Sequence, residues 1–183
     1  MGQRKADPPT PAEPWGTPLP LPSHTGSRRI TWDALPRSVA AGIERVLGGT
    51  VAMATSRQGG FSDGLAVRLR LTDGRGAFAK AVDSTAAPTV GEFHRREIAV
   101  AGALPPGVPA PRLLGSFDDG AWVALVFEDI EGALPAQPWR EPELERVLDA
   151  LTGLADTLTP APAIGGAERA PRLGGWTRLA HSP

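Results

Sequence analysis

A β-hairpin is predicted for residues 65–82, whose sequence is LAVRLRLTDGRGAFAKAV. Apolar side chains recur at every second position from Leu65 to Leu71, which is the period of a strand with one buried face. Asp73-Gly74 supplies a tight turn, and a second strand follows at Ala77 to Val82. This second strand carries Lys80, on which much of the functional prediction depends.

Further strands and helices are predicted on both sides of the hairpin from apolar periodicity and turn residues. The first helix would be capped by Thr31 or Asp33 and ended by Gly48-Gly49. The predicted helices are residues 36–47, 89–104 and 142–158, and the other predicted strands are residues 51–57, 112–117 and 122–127. This order is typical of an α+β protein, so we expect a five-stranded antiparallel sheet with helical cover.

The composition restricts the class of protein. The formal net charge is -1 over 183 residues, whereas nucleic-acid-binding domains usually carry an excess of basic residues. The chain has no cysteine, which excludes disulfides and thiolate chemistry and fits the reducing cytoplasm. Its longest strongly apolar run, residues 122–127, is far too short to span a membrane, and Met1 is followed by neither a secretory signal nor a myristoylation pattern. We therefore expect a cytoplasmic protein whose partners include neither nucleic acid nor membrane.

The two ends of the chain differ from its middle in composition. Residues 1–29 are rich in proline and show no apolar periodicity, so they are predicted to be a disordered tail. Residues 160–183 are rich in glycine and proline, and they show only a short possible segment at Trp176 to Leu179.

A glycine-rich loop, residues 59–64, separates the first two predicted strands. Gly59 and Gly60 allow backbone N–H groups to approach a phosphate closely, and Ser62 adds a hydroxyl donor. The alternative is an ordinary glycine-rich hairpin, and the loop by itself favours this alternative.

Lys80 stands in the middle of a predicted strand, on the same face as Phe78 and Val82. A lone ammonium on an apolar face is costly unless it is paired or faces an anion. Lys5 and Lys80 are the two lysines of the chain, and the other side chains that are positively charged at neutral pH are arginines. A compact ammonium kept at this position favours a phosphate partner, and the alternative is a lysine at the sheet edge whose head group reaches water.

Glu97 is the predicted partner of Lys80. It follows Phe93 by four residues and precedes Val100 by three, so it should point into the apolar stripe of its helix. Glu92 has arginines at helical spacing and is predicted to lie in solvent. A buried carboxylate and a buried ammonium on facing elements would satisfy each other, although an exposed Glu97 is the alternative.

In this order the features resemble the amino lobe of the protein-kinase-like fold, and in detail they resemble the aminoglycoside phosphotransferase and choline-kinase-like family. The resemblance spans about residues 31–158. It rests on the segments Gly59-Gly60-Phe61-Ser62-Asp63, Phe78-Ala79-Lys80-Ala81-Val82, Arg95-Arg96-Glu97 and Leu125-Val126-Phe127-Glu128-Asp129-Ile130-Glu131-Gly132.

The resemblance implies a role for each part of a nucleotide site. Lys80 would hold the α- and β-phosphates of ATP or GTP, Glu97 would orient Lys80, and Ser62 with nearby N–H groups would cover the phosphates. The adenine would bond to the carbonyl of Glu128 and the N–H of Ile130, with a phenylalanine at the back of the pocket. The implied nucleotide-binding residues are Gly59, Gly60, Ser62, Lys80, Glu97, Phe127, Glu128 and Ile130.

The resemblance also implies four regions along the chain. Residues 1–29 would be the tail, residues 30–127 the amino lobe, residues 128–135 the hinge and residues 136–183 the incomplete start of a carboxyl lobe. The complete family enzyme uses Mg²⁺ and a catalytic loop of the form His-x-Asp-x-x-x-x-Asn. No such loop occurs here, and the three histidines, His24, His94 and His181, are predicted to be tail or surface residues.

No catalytic and no metal-binding residue is therefore assigned in this chain. We expect the nucleotide-binding part of a phosphotransferase that acts on a small-molecule hydroxyl, and the resemblance does not identify the acceptor. The alternatives are a non-catalytic nucleotide-binding or protein-interaction module, and a small α+β adaptor without a ligand.

Overall fold

The structure, a computed structural model, describes residues 29–57, 64–133 and 135–163 of the 183-residue chain. Within these ranges the chain forms one five-stranded antiparallel sheet, three α-helices and a short 3₁₀ helix at Trp32–Ala34. The predicted α+β class and the five-stranded antiparallel sheet are confirmed. The main elements are α1 (Arg37–Leu47), β1 (Val51–Ser56), β2 (Leu65–Leu71), β3 (Gly76–Asp83), α2 (Pro88–Ala103), β4 (Leu113–Asp118), β5 (Trp122–Glu128) and α3 (Glu141–Thr157).

The strands lie in the order β1-β2-β3-β5-β4, and all neighbours are antiparallel. The first three form the predicted meander. The chain then crosses through α2 to the far edge and returns, so that β5 lies beside β3. Five consecutive residues of β5 are buried, as expected for a central strand that is covered on both faces. Lys80 is therefore central in the sheet, opposite Ala66 on one side and Leu125 on the other.

Each face of the sheet carries one helix. On one face, α1 packs through Val39, Ile43 and Leu47 against the buried leucines and valine of β2 and the buried alanines of β3. On the opposite face, α2 packs through Ile98 and Ala101 against a second apolar cluster that contains residues of β3 and β5. The period-two pattern of the strands thus sends alternate side chains to two different helices.

The start of α1 corrects the predicted cap. Neither Thr31 nor Asp33 caps the helix, because Pro36 is its N-cap residue and no side chain bonds to its first turn. A residue before proline is forced out of the helical region, and Leu35 has the extended angles φ -67° and ψ 145°. The helix cannot extend back past this residue, and residues 32–34 form a separate 3₁₀ turn.

The last helix, α3, differs from the other two because none of its residues is buried. Its apolar residues Leu144, Leu148 and Leu151 are exposed. In the described part of the chain, no helix is both long enough and apolar enough to cross a membrane.

Several predictions fall on residues outside the described ranges. These are the tail except for Arg29, the loop residues Gly59, Gly60 and Ser62, the segment at Trp176 to Leu179, and two of the histidines. Arg29 forms an isolated β-bridge with Gly64.

Gly42 and Gly102 provide a matched test of the packing of α1. A Cβ on Gly42 would overlap the ring of Phe117, with Cγ at 2.6 Å, whereas a Cβ on Gly102 in α2 would meet nothing within 4 Å. We expect Gly42→Ala to lower the free energy of unfolding by about 1–3 kcal/mol through overpacking. Gly102→Ala should leave it unchanged or raise it by up to about 1 kcal/mol, since alanine favours a helix. Urea denaturation measures both, and equal stability of the two variants would contradict the packing described here.

Candidate functional site

A cleft of about 790 Å³ lies between α2 and the face of the sheet that carries Lys80. Side chains of β2, β3 and β5 form its floor, the second half of α2 forms one wall, and the connector after β5 forms another. The cleft is lined by Arg57, Arg68, Phe78, Lys80, Arg96, Glu97, Val100, Ala101, Leu104, Ala110, Pro111, Phe127, Glu128, Asp129, Ile130 and Gly132.

Lys80 and Glu97 meet in this cleft. The Nζ atom of Lys80 donates a hydrogen bond of 2.6 Å to Oε1 of Glu97, so the predicted ion pair is present. The ammonium also lies 5.7 Å from the centre of the Phe127 ring, within the range of a cation–π contact. The two charged side chains are 34% and 38% exposed, so solvent screens their attraction and the pair contributes little to stability.

The helix phase behind this pair differs from the prediction. Phe93 and Val100 were expected on the buried stripe, but they are 57% and 42% exposed. The buried residues of α2 are Gly91 and His94, and Glu97 lies one turn further along the helix. The pairing was predicted correctly although the apolar stripe used to predict it was wrong.

Two contacts in the first two turns of α2 explain how the helix is rotated about its own axis. A Cβ on Gly91 would overlap the side chain of Ser84, so the missing side chain lets the helix approach β3 closely. Arg95 donates to both carboxylate oxygens of Asp118 on β4, at 2.8 and 3.1 Å. These contacts fix the rotation of the helix and direct Glu97 towards Lys80. Glu92 lies on the opposite side, where it is exposed and pairs with Arg96, as predicted.

His94 is a correction, because the sequence placed it on the surface and the structure buries it. Its exposed fraction is 7%. Burial lowers the pKa of His94 below its ordinary value, the nearby Glu97 carboxylate opposes this effect, and the Lys80 ammonium adds to it. The spacing of Gly91, His94, Ile98 and Ala101 is helical, but only Ile98 and Ala101 are apolar, so the sequence signal for this buried face is weak.

The connector after β5 is attached to the sheet by two sets of contacts. Glu128 is bonded to Arg112 in both directions, since the Glu128 N–H donates to the Arg112 carbonyl at 3.0 Å and the Arg112 N–H donates to Glu128 Oε1 at 2.8 Å. Asp129 is paired with Arg68 of β2. Nothing in the described ranges accepts a hydrogen bond from the N–H of Ile130.

The structure thus brings together five of the predicted site residues. Lys80, Glu97, Phe127, Glu128 and Ile130 line one cleft, and Phe127 is nearly buried at its floor. The loop residues predicted to cover phosphates lie outside the described ranges, so the structure gives no position for them.

Three arginines of the cleft were missed by sequence reasoning. Arg57 and Arg96 line the cleft together with Lys80, and Arg68 lines it close to the connector. The Arg57 guanidinium pairs with no acidic side chain among the described residues. Arg68 shares the Lys80 face of the sheet by strand alternation, a signal that was present in the sequence. The lining holds four basic and three acidic side chains, so its basic excess is one charge.

No model of a known protein family matches the sequence, and no curated protein is significantly similar to it. Functional conclusions therefore rest on the residues of the cleft.

The buried His94 predicts a pH dependence of stability. Because its pKa is lowered from 6.5 in the folded state, the unfolded chain binds the proton more readily. Stability from the neutral imidazole is present above about pH 6.5 and is lost as the pH falls through the lowered pKa. The unfolding free energy should decrease between about pH 7.5 and about pH 5.5, and we expect this decrease to be smaller in His94→Gln than in the wild type.

Urea denaturation of both proteins across this range measures the effect. Hydrogen bonds lower the pKa values of three aspartates below 3.8, so these groups do not titrate in the window. They are Asp73, Asp83 and Asp118. Identical pH profiles for the wild type and His94→Gln would show that His94 is not buried in its neutral form.

Proposed function

We propose that this chain is the nucleotide-binding part of a phosphotransferase with a kinase-like amino lobe, which uses ATP or GTP to phosphorylate a small-molecule hydroxyl. The observation that carries the proposal is the Lys80–Glu97 ion pair in a cleft with a basic side and an apolar side. The same two residues are among the features on which the resemblance to the aminoglycoside phosphotransferase and choline-kinase-like family rests.

The basic side of the cleft fits phosphates. A lysine ammonium has three N–H donors, and Glu97 accepts one of them, so Lys80 can still donate to phosphate oxygens. Glu97 holds the ammonium over the cleft and limits its rotamers. Arg57 adds positive charge to the same lining, and a chain of phosphates would share its negative charge between Lys80 and Arg57. Arg96 also lines the cleft, but its guanidinium pairs with Glu92.

The apolar side of the cleft fits a nucleobase. Phe78, Phe127, Val100 and Leu104 offer apolar surface to a flat ring, and ligand cavities of this kind commonly measure roughly 300–1,000 Å³. The N–H of Ile130 and the carbonyl of Glu128 would bond to the edge of the base. The cleft thus has the size and the polarity that a nucleotide requires.

Mg²⁺ is expected for the complete family enzyme, and no residue of the described ranges is assigned to it. In ranges 29–57, 64–133 and 135–163, no three acidic or histidine side chains come close enough to hold a metal ion. We therefore assign no step of phosphate transfer to Mg²⁺ in this chain. A cytoplasmic location is part of the proposal, because ATP and GTP are available there.

Replacement of Lys80 tests the proposed function directly. We expect Lys80→Ala to weaken binding of ATP or GTP by roughly tenfold to a hundredfold, since a charge-assisted hydrogen bond to phosphate is lost. Arg70→Ala is the matched control, because Arg70 is an exposed cation on β2 that bonds to the Gly74 carbonyl and does not line the cleft. Isothermal calorimetry measures both, and equal affinity of the wild type and Lys80→Ala would refute the proposal.

The 183-residue chain should bind nucleotide without transferring phosphate at a useful rate. Transfer requires positioned phosphates, a bound metal and a base aligned with the acceptor hydroxyl, and only the first is assigned here. The measurement is ATP turnover with a panel of amino sugars and amino alcohols, with Lys80→Ala as control. Turnover that the wild type shows and Lys80→Ala lacks would mean that this chain contains catalytic groups not assigned here.

A further inference from the structure

Arg68 joins the middle of β2 to the connector that follows β5. Its Nε donates to Oδ1 of Asp129, and its Nη2 donates to the carbonyl of Ile130 at 3.4 Å. The Asp129 side chain is only 11% exposed, so the pair is partly shielded from water. One guanidinium therefore holds two consecutive residues of the connector.

Gly76 provides the space for this contact. A Cβ on Gly76 would lie 2.7 Å from Oδ2 and 3.0 Å from the Cβ of Asp129. Gly76 is not among the described glycines with positive φ, so the absent side chain matters here and not an unusual backbone conformation. The Asp129 carboxylate thus rests on the bare backbone at the start of β3.

These contacts bracket the peptide bond between Asp129 and Ile130. The side chain of the first residue and the carbonyl of the second are both held by Arg68, and the N–H between them has no acceptor in the described part of the chain. This N–H belongs to the part of the connector that lines the cleft. A backbone group that is held still and left without an acceptor is suited to bond the edge of a base.

We propose that Arg68 is a positioning residue for the nucleobase, which fixes the connector through Asp129 so that the Ile130 N–H meets the base. This inference rests on the proposed nucleotide-binding function. Because Asp129 neutralises the guanidinium, Arg68 acts through the connector and makes no contact with the phosphates. Lys80 then binds the phosphate end of the nucleotide, and Arg68 positions the connector at the base end.

The test separates the two ends of the nucleotide. Calorimetry with ATP or GTP, whichever the wild type binds more tightly, is repeated with the matching nucleoside and with inorganic triphosphate. We expect Arg68→Ala to weaken nucleotide and nucleoside binding by about tenfold and to change triphosphate binding by less than about twofold. Lys80→Ala should show the reverse pattern, with triphosphate weakened and nucleoside unchanged.

Two further variants test the same contact without removing Arg68. Gly76→Ala displaces the Asp129 side chain, and Asp129→Asn removes its charge while keeping its shape, so both should reproduce the Arg68→Ala pattern. Either variant decides the question if Arg68→Ala does not fold. Arg70→Ala, two residues along the same strand, should bind all three ligands as the wild type does.

Two results would overturn the inference while the proposed function stands. In the first, Arg68→Ala weakens triphosphate as strongly as nucleoside, which would make Arg68 a direct phosphate ligand. In the second, folded Arg68→Ala and Gly76→Ala bind the nucleoside with wild-type affinity, which would make the ion pair purely structural. A wild-type chain that binds neither ATP nor GTP would refute the proposed function and this inference together.

Discussion

The contact between Lys80 and Glu97 joins the two parts of the molecule that form the cleft. Lys80 belongs to a central strand, and on its own strand the neighbours on the same face are the apolar Phe78 and Val82. A charge in such surroundings needs a counter-charge, and α2 supplies one only if it lies at one rotation and one distance from the sheet. The pair forms only at that rotation, and because both side chains are about one third exposed it adds little free energy of its own.

The packing of α2 satisfies this restriction with small residues and surface ion pairs. Gly91 brings the first turn close to Ser84, and the Arg95–Asp118 pair holds the outer side of the helix to β4. Apolar burial by α2 is modest, because Phe93 and Val100 stay exposed. The larger apolar core lies on the other face, under α1, where Val39 and Ile43 are completely buried. One face thus provides most of the stability, and the other leaves room for a ligand.

Local patterns explain which features could be predicted from the sequence. The hairpin of β2 and β3 was predicted because strand alternation and an Asp-Gly turn are visible within a few residues. The Lys80–Glu97 pair was predicted from the cost of an unpaired charge. His94 was misplaced because a histidine carries no apolar signal, and its burial follows from the phase that Gly91 and Arg95 impose on the helix.

The Arg68–Asp129 pair could not be predicted, because it depends on strand order. Arg68 is opposite Phe78, and Phe78 is opposite Phe127, so the arginine reaches a residue just beyond β5 by crossing one intervening strand. No local pattern in the sequence indicates that β5 lies beside β3. Once that order is given, two ion pairs of the lining are explained, Lys80–Glu97 and Arg68–Asp129. The other charged side chains of the lining are Arg57, Glu128 and Arg96, and Arg96 pairs with Glu92. The Lys80–Glu97 pair is too exposed to add much stability, and we propose that both pairs orient groups in the cleft. Under the proposed function, the small excess of positive charge would attract the phosphates, and the apolar walls would accept the base.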